Sequence, residues 1–475
     1  MKGQSTPSRR RIIISKLFQF CRQIIGPNTS AENASVSSEP LVITRGEHGI
    51  SRKQFSPNAI KVLYRLKDGG FDAYLVGGCI RDILLGQQPK DFDVVTNATP
   101  DQVKKLFRNC RLIGRRFRLA HIVFGREIIE VATMRGHHEA PESKNQISQS
   151  STEGQLLRDN VFGSIEEDAE RRDFSINALY YSINDFSIHD YANGLAAIKA
   201  KQIELIGDPE TRYREDPVRM LRAVRFAVKL GMRIEEKTAE PIKPLANLLQ
   251  NIPPARLFEE TLKLFLSGKG EVTFLMLHEY GLIEPLFPQL APFLKDENSR
   301  EMQFVRRVLA NTDERINSNQ RVTPAFLYAA LLWYPVEEQS QRLQSESGLN
   351  AHDAFNIASG EVISRQTQRI MIPKRFSTVV RDIWILQQRL PKRFGRRAFQ
   401  LLTHPKFRAG YDFLLVRGQV EGGDLLELAQ WWTHFQHADN GKQKGMLNAL
   451  RKSEGGAKGG PRKRKRKPAK RGPDA

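Results

Sequence analysis

Two aspartates, Asp91 and Asp93, stand one residue apart in the run PKDFDVV. Successive side chains of a β-strand alternate faces, so this spacing sends both carboxylates the same way. Like charges side by side repel, and a divalent cation is the strongest compensation available. A solvated edge strand or an acidic turn could carry the same pair, so the surroundings have to decide.

About a dozen residues upstream lies LVGGCIRD, Leu75 to Asp82. It reads as a strand ending in Gly77 and Gly78, followed by a short helix. Glycines let a ligand approach the backbone, and the free N–H groups of a helix start suit an anion. Arg81 adds a positive charge. Alone this is a tight turn. Beside the aspartates it suggests a triphosphate held against Mg²⁺, which takes one or two carboxylates plus phosphate oxygens.

Metal-assisted nucleotidyl transfer asks for a third carboxylate, because two ions serve the attacking hydroxyl and the leaving pyrophosphate. Glu130, in EIIEVATMR, sits in an apolar strand where a charge is costly unless used, and it is the preferred ligand. Asp173, in ERRDFSINALYY, is either a cap paired with Arg171 or Arg172 or a member of the catalytic set. In the second case it organises the site through the ribose or the arginines.

A second constellation is REDPVRMLRAVRFAVKLG. Asp216 can cap a helix whose first residue is Pro217, and Asp216 and Arg219 share a face. Such a pair is an ordinary intrahelical ion pair or a reader of bases. The carboxylate accepts from the amino group of adenine or cytosine, and the guanidinium donates to the neighbouring ring nitrogen. Uracil and guanine present the opposite pattern, so the pair selects ATP or CTP without choosing between them. Arg222 and Arg225 continue the basic face toward phosphates or RNA.

These residues need elements to hold them. AYLVGG and DFDVVT read as strands, and CIRDILLG as a helix between them. TPDQVKKLF reads as a helix with Thr99 as N-cap and Pro100 first. RLAHIVFG and EIIEVATM read as a hairpin. From Asp208 the pattern is almost all helical, and TPAFLYAALLW (323–333) is apolar nearly all round, as a buried helix is. Residues 139–160 are polar and read as a loop within the catalytic half.

With 475 residues the chain has room for two to four domains, and its composition is globular. Its formal charge of +21 and pI near 9.9 point to a polyanionic partner, nucleic acid or an anionic membrane surface. Residues 458–471 hold nine of those charges, and about +12 stays without them. Cys21, Cys79 and Cys110 lie far apart, without a C-x-x-C, which fits a reducing compartment and argues against a disulfide framework or zinc site. No run reaches the length of a membrane span. The basic, apolar RRRIIISKLFQFCRQII near the start reads as part of a flexible or peripheral extension. His189-Asp190 and His352-Asp353 are H-D pairs, but the further ligands of a metal-dependent phosphohydrolase are missing in order.

LVGGCIRD, DFDVV, RRDFSINALYY and REDPVRMLRAVRFA together resemble the class II nucleotidyltransferases, the bacterial poly(A) polymerases and tRNA CCA-adding enzymes. The motifs occur in family order over roughly residues 60–265. LIGRRFRLAHIVFG resembles the signature that separates the poly(A) branch, matching at Gly114, Arg115, Arg116, Phe117, Leu119 and His121. The resemblance implies an α+β chain: a polymerase-β-like palm, a small mixed sheet with helices, followed by an elongated all-α neck, body and tail. The expected division is a basic extension to 55, a catalytic head at 56–200, a neck at 201–270, a helical body at 271–450 and a basic tail at 451–475.

The expected metal ligands are Asp91, Asp93 and Glu130, with Asp173 joining the catalytic set. Two Mg²⁺ ions are expected, with Mn²⁺ as an alternative and ATP as substrate. Gly77, Gly78, Arg81, Arg172, Asn177, Glu215, Asp216, Arg219, Arg222 and Arg225 are the expected nucleotide contacts. Arg115, Arg116, Arg393, Arg396 and Arg397 are the expected RNA contacts, with Phe394, Phe399 and Phe407 able to stack on bases or to fill a core. The expected activity is template-independent addition of AMP to RNA 3′ ends, on messenger RNA, regulatory RNA and decay fragments, in the cytoplasm. RNA-decay proteins are possible partners, and no stable membrane insertion is expected. A CCA-adding enzyme is the first alternative, and a catalytically silent RNA-binding protein the second.

Overall fold

The computed structural model describes residues 39–114, 118–136, 149–150, 156–158 and 161–455. The apolar segment near the start, Arg115, Arg116, most of the 139–160 stretch and most of the basic tail lie outside the described residues. The described residues fall into two compact units. One combines Met1–Ala291 with Thr312–Asn319 and Thr367–Met371; the other combines Pro292–Asn311, Gln320–Gln366 and Ile372–Ala475.

In the first unit eight strands form one mixed sheet. They are β1 (Leu41–Ile43), β2 (Ala73–Val76), β3 (Asp93–Thr96), β4 (Cys110–Ile113), β5 (Leu119–Phe124), β6 (Glu127–Thr133), β7 (Leu179–Ser182) and β8 (Ile188–Asp190). Their spatial order is β1-β8-β7-β2-β3-β6-β5-β4. All neighbours are antiparallel except β3 and β6. A parallel pair needs a long return connection, supplied here by a helix and the β4–β5 excursion. The hairpin expected at RLAHIVFG and EIIEVATM is β5–β6, joined through Gly125 and Arg126.

The flanking helices follow their sequence signals. Helix α1 (Pro57–Asp68) starts at Ser56, whose side chain accepts from the Asn58 and Ala59 amides, and it buries Ala59, Val62, Leu63 and Leu66. Helix α2 (Gly78–Leu84) follows β2 directly. Helix α3 (Pro100–Leu106) has Thr99 as N-cap, completed into a capping box by Gln102. Next come α4 (Ile165–Arg171), α5 (Pro209–Glu215), α6 (Val218–Leu230) and α7 (Pro254–Phe265).

In the second unit the described elements are helical, among them α8 (Pro324–Leu331), α9 (Lys374–Arg389), α10 (Arg396–Leu402), α11 (Phe407–Glu421) and α12 (Gly423–His437). Its core holds two fully buried tryptophans with satisfied indoles. Trp384 donates to the Ala329 carbonyl at 3.0 Å and Trp432 to the Leu390 carbonyl at 3.1 Å. The single helix expected over 323–333 ends at Leu331, because Leu332 turns out of the helix and a second one begins at Trp333. No helix among the described residues is long and apolar enough to cross a membrane.

Candidate active site

Sheet register brings the chemistry together. In the parallel pair Asp93 lies opposite Glu130, and in the antiparallel pair it lies opposite Val76. Val76 also faces Tyr180 on β7. The end of β2, the start of β3 and the segment before β7 therefore share one end of the sheet. That end carries the Gly77-Gly78 turn, Asp93 and the Asp173–Asn177 segment, with Glu130 beside Asp93 from within β6.

Two details differ from the sequence reading. Strand β3 begins at Asp93, so Asp91 precedes the strand and alternation alone does not aim it. Glu130 is not held in an apolar setting. Its strand buries Ile129, Val131 and Thr133 on one face, and Glu130 occupies the other, 49% exposed and 3.3 Å from the His121 imidazole. Its neighbour in register singles it out, not a cost of burial.

Asp93 is open to solvent yet crowded by protein, as a carboxylate in a cleft is. Burial pushes its pKa up to about 6; Glu130 and Asp91 push the same way, while Arg172 opposes them. Cys79, in the first turn of α2, is pushed up to about 12 by burial and then by the Asp93 charge, which places that turn against the carboxylate. Three hard oxygen donors that repel one another fit a hard divalent cation, whose charge would reverse the repulsion. They are not a finished cage: no group of three or more His, Cys, Asp or Glu side chains among the described residues is gathered closely enough to hold an ion alone.

Gly77 has φ 77° and ψ −131°, a conformation open to glycine and strained for any other residue. A Cβ there would lie 3.6 Å from the Arg172 Nη1 and 3.7 Å from the Asn177 carbonyl, so this guanidinium borders the turn. Arg172 is held from behind. Asp168, on α4, accepts from its Nε and Nη2 at 3.0 Å each, and also from the Tyr180 hydroxyl at 2.9 Å. Burial would raise the Asp168 pKa, but Arg172, Arg135 and the Tyr180 hydroxyl outweigh it and hold the carboxyl below the usual range.

Arg81 borders the turn as well, its Nη2 3.4 Å from where a Cβ on Gly78 would lie, but it is also engaged by neighbours. It is 3% exposed, donates to Asp82 at 2.6 and 2.8 Å and to the Asn177 Oδ1 at 2.5 Å, and stacks over Phe226. It thereby fixes Asn177. Asn177 in turn donates to Asp173 at 3.0 Å. Asp173 also accepts from the Phe174 amide and from Arg222 Nε at 2.7 Å. Its partner is thus Arg222, not the adjacent Arg171 or Arg172, because the chain turns away at the end of α4. Arg171 donates to the Gly136 carbonyl instead. Burial would raise the Asp173 pKa; Arg222, Asn177 and the Phe174 amide hold it well below the usual range.

The base-reading candidates lie on α5 and α6, tied to this cluster through Arg222, whose charge senses both Asp173 and Asp216. Helix α6 starts at Val218, one residue later than expected, and Asp216 accepts from the Val218 amide at 3.3 Å. Asp216 and Arg219 do not pair with each other. Arg219 donates to Glu215 at 2.9 Å and to the Arg212 carbonyl at 2.8 Å. Asp216 is gripped by both Nη atoms of Arg256, from α7, at 2.9 and 2.7 Å. Arg225 stacks over Phe226 at 4.7 Å, and its buried Nε has no partner among the described residues. Arg256 lies forty residues downstream of Asp216, and no local signal links the two. Asp168 could have been found from its i,i+4 spacing to Arg172.

The H-D pairs stay structural: Asp190 accepts from the amides of Ala192, Gly194 and Leu195, and His352 and Asp353 are exposed. Arg393, Arg396 and Arg397 belong to the second unit. Arg115 and Arg116 lie outside the described residues.

Three family models match the chain. They describe a poly A polymerase head domain over residues 73–204, a probable RNA and SrmB-binding site of polymerase A over 231–294, and a polymerase A arginine-rich C-terminus over 347–471. Poly(A) polymerase I of Escherichia coli O6:H1 is 54% identical over 464 residues, 97% of this chain and 99% of that protein. The Haemophilus influenzae protein of the same name is 52% identical over 86% of this chain and 90% of its own length. A CC-adding tRNA nucleotidyltransferase of Halalkalibacterium halodurans is 34% identical over 52% of this chain and 58% of its own length. Among solved structures, a Bacillus stearothermophilus CCA-adding enzyme in complex with CTP aligns with TM-score 0.54 at 22% identity, covering 83% of this chain and 84% of that one. This last likeness carries the fold alone, a nucleotidyltransferase sheet followed by helices. With more than half its residues identical along nearly its whole length, the chain belongs to the poly(A) polymerase I family.

Proposed function

We propose that this chain is a template-independent poly(A) polymerase that transfers AMP from ATP to RNA 3′ ends. The 3′-oxygen bonds to the α-phosphorus, the bond from that phosphorus to the bridging oxygen breaks, and pyrophosphate leaves while the hydroxyl proton passes to solvent. The observation that carries this reading is Asp93 in register with Glu130 at the sheet end where the Gly77 turn lies.

Asp91, Asp93 and Glu130 would hold two divalent ions, Mg²⁺ or in its place Mn²⁺, which supply acidity to the 3′-hydroxyl and neutralise the triphosphate. The Gly77-Gly78 backbone and Arg172 orient the phosphates. Asp173 and Arg222 bridge the phosphate end to the base-reading end. Asp216 accepts the adenine amino hydrogen and Arg219 donates to the adjacent ring nitrogen, while Glu215 sets the Arg219 guanidinium. In this reading the enzyme acts in bacterial RNA polyadenylation and decay in the cytoplasm, on messenger, regulatory and fragment RNAs, with decay proteins as further partners. The head, neck, body and tail at 56–200, 201–270, 271–450 and 451–475 are its functional divisions.

Incubating the purified protein with RNA and each nucleotide separately, then sizing the products, tests the reading. Long A tails on many RNAs are expected from ATP alone, with little incorporation of CTP. Addition of C, C and A to tRNAs lacking those residues, followed by arrest, would give the chain to the CCA-adding branch. No product with any nucleotide would leave the silent RNA-binding alternative.

A further inference from the structure

Helices α9 and α10 of the second unit are joined by residues 390–395, LPKRFG. Phe394 is 39% exposed and is the only aromatic among the exposed large apolar side chains of the described residues. The other two phenylalanines of this segment are not available. Phe407 is 6% exposed and packs on Trp432, and Phe399 packs on Phe435, so both fill the core. Arg393 is also engaged, lying 5.0 Å over the Trp431 ring, which is itself stacked on Phe435.

The charges around Phe394 are unusual for this unit. Several other arginines of the unit pair with acids at helical spacing, as in Arg365–Glu361, Arg342–Glu346 and Arg408–Asp412. Arg389, Lys392, Arg396 and Arg397 are exposed and make no ion pair with any described residue. The sequence between Asp382 and Asp412 has seven Lys or Arg and no acid. An uncompensated cation cluster repels itself and awaits a polyanion. An aromatic ring left in solvent among them in the chain calls for a flat, apolar partner. Single-stranded RNA supplies both: phosphates to the cations and an unpaired base face to the ring. Duplex RNA hides its base faces, and an acidic peptide would satisfy the cations without using the ring.

We propose that Phe394 is a stacking site for an unpaired base of single-stranded RNA, with Arg389, Lys392, Arg396 and Arg397 on the adjoining phosphates. The inference rests on the polymerase reading for its choice of RNA as partner. It adds a specific side chain that makes the second unit discriminate single strands from duplexes.

The test is equilibrium binding of a fluorescent single-stranded oligonucleotide and of a blunt duplex RNA of equal length, over a range of salt and without ATP. Phe394→Ala should weaken single-strand binding about tenfold, leave duplex binding unchanged and keep the salt slope. Phe394→Tyr should restore it. The double variant Arg396→Ala, Arg397→Ala should weaken both RNAs and lower the single-strand salt slope by roughly 1.4. Thermal melting checks that the exposed-site variants stay folded. Single-strand binding by Phe394→Ala equal to wild type, or an equal loss on both RNAs, overturns the proposal, and the first result favours an acidic protein as occupant of the patch. Tailing activity is scored separately, so a wild type that adds no AMP sinks the polymerase reading while the binding comparison still decides the stacking site.

Discussion

Asp93→Asn should lose more than nine-tenths of AMP transfer while its folded state becomes no less stable, and at alkaline pH more stable. The amide keeps the size of the side chain and removes one oxygen anion from the set that faces Glu130 in register. Removing a ligand that acts on the reacting groups lowers kcat, and RNA binding, which the proposed reading assigns to other residues, is expected to be unchanged. The stability half follows from linkage. The folded pKa of Asp93 is pushed up to about 6 by burial, Glu130 and Asp91, above its unfolded value near 3.9. The folded state therefore holds the proton more tightly, and its stability falls as pH rises between those two values and stays lowered above them. The asparagine variant has no such penalty, so its melting advantage should be larger at about pH 8 than at about pH 4. Initial rates of AMP incorporation and melting curves at the two pH values read both halves. A variant keeping more than roughly a tenth of the activity would remove Asp93 from the ligand set.

Asp168→Asn is expected to cost about 3 kcal/mol of folding stability, the scale for breaking a buried pair from one side. Its carboxylate side chain is 2% exposed, and it offsets Arg172 and Arg135 while accepting from Tyr180. The amide still accepts hydrogen bonds but leaves both guanidiniums without their counter-charge. Here the sign is opposite to that of Asp93. The folded pKa is depressed, so the contribution is complete above the unfolded value near 3.9 and disappears as pH falls through the folded one. The gap between wild type and variant in denaturant midpoint should therefore narrow in acid. Activity should fall as well, mainly through a raised KM for ATP, because Arg172 borders the Gly77 turn. Equal midpoints at neutral pH would show that Arg172 needs no partner in this fold.

Much of the scaffold was legible because its signals are local. Thr99 and Pro100 mark a helix start by chemistry within two residues, and the structure places it there. The hairpin of β5 and β6 follows from two alternating runs around Gly125. The parallel pairing of β3 with β6 was not legible, since it is a long-range choice made by packing, and it is what sets Asp93 beside Glu130. Glu130 was picked for a physical reason that its half-exposed position does not bear out. Charge pairings were hardest to foresee. Spacing along a helix suggested Asp216 with Arg219, but guanidiniums are long and choose by three-dimensional neighbourhood. Arg256 and Glu215 took the two partners instead. Arg81 was named as a phosphate contact from its place in the motif; its buried guanidinium also donates to Asp82 and Asn177, and the link to Asn177, ninety-six residues on, has no local signal.

In the proposed reading, where Asp216 and Arg219 meet the base, the grip of Arg256 on Asp216 would make nucleotide recognition an exchange equilibrium. Asp216 is already held by both Nη atoms of Arg256, so an amino base that it reads must share or displace that guanidinium. Its net affinity is a difference between two sets of strong contacts, smaller than either. A base with a mismatched edge would release the resident ion pairs and put nothing equivalent in their place. Discrimination then comes from the contacts given up as much as from those gained. The resident pairs act as a reference ligand built into the chain, against which each incoming nucleotide is weighed. Salt screens such partly exposed pairs, so discrimination among nucleotides should weaken as ionic strength rises even where the fold does not change.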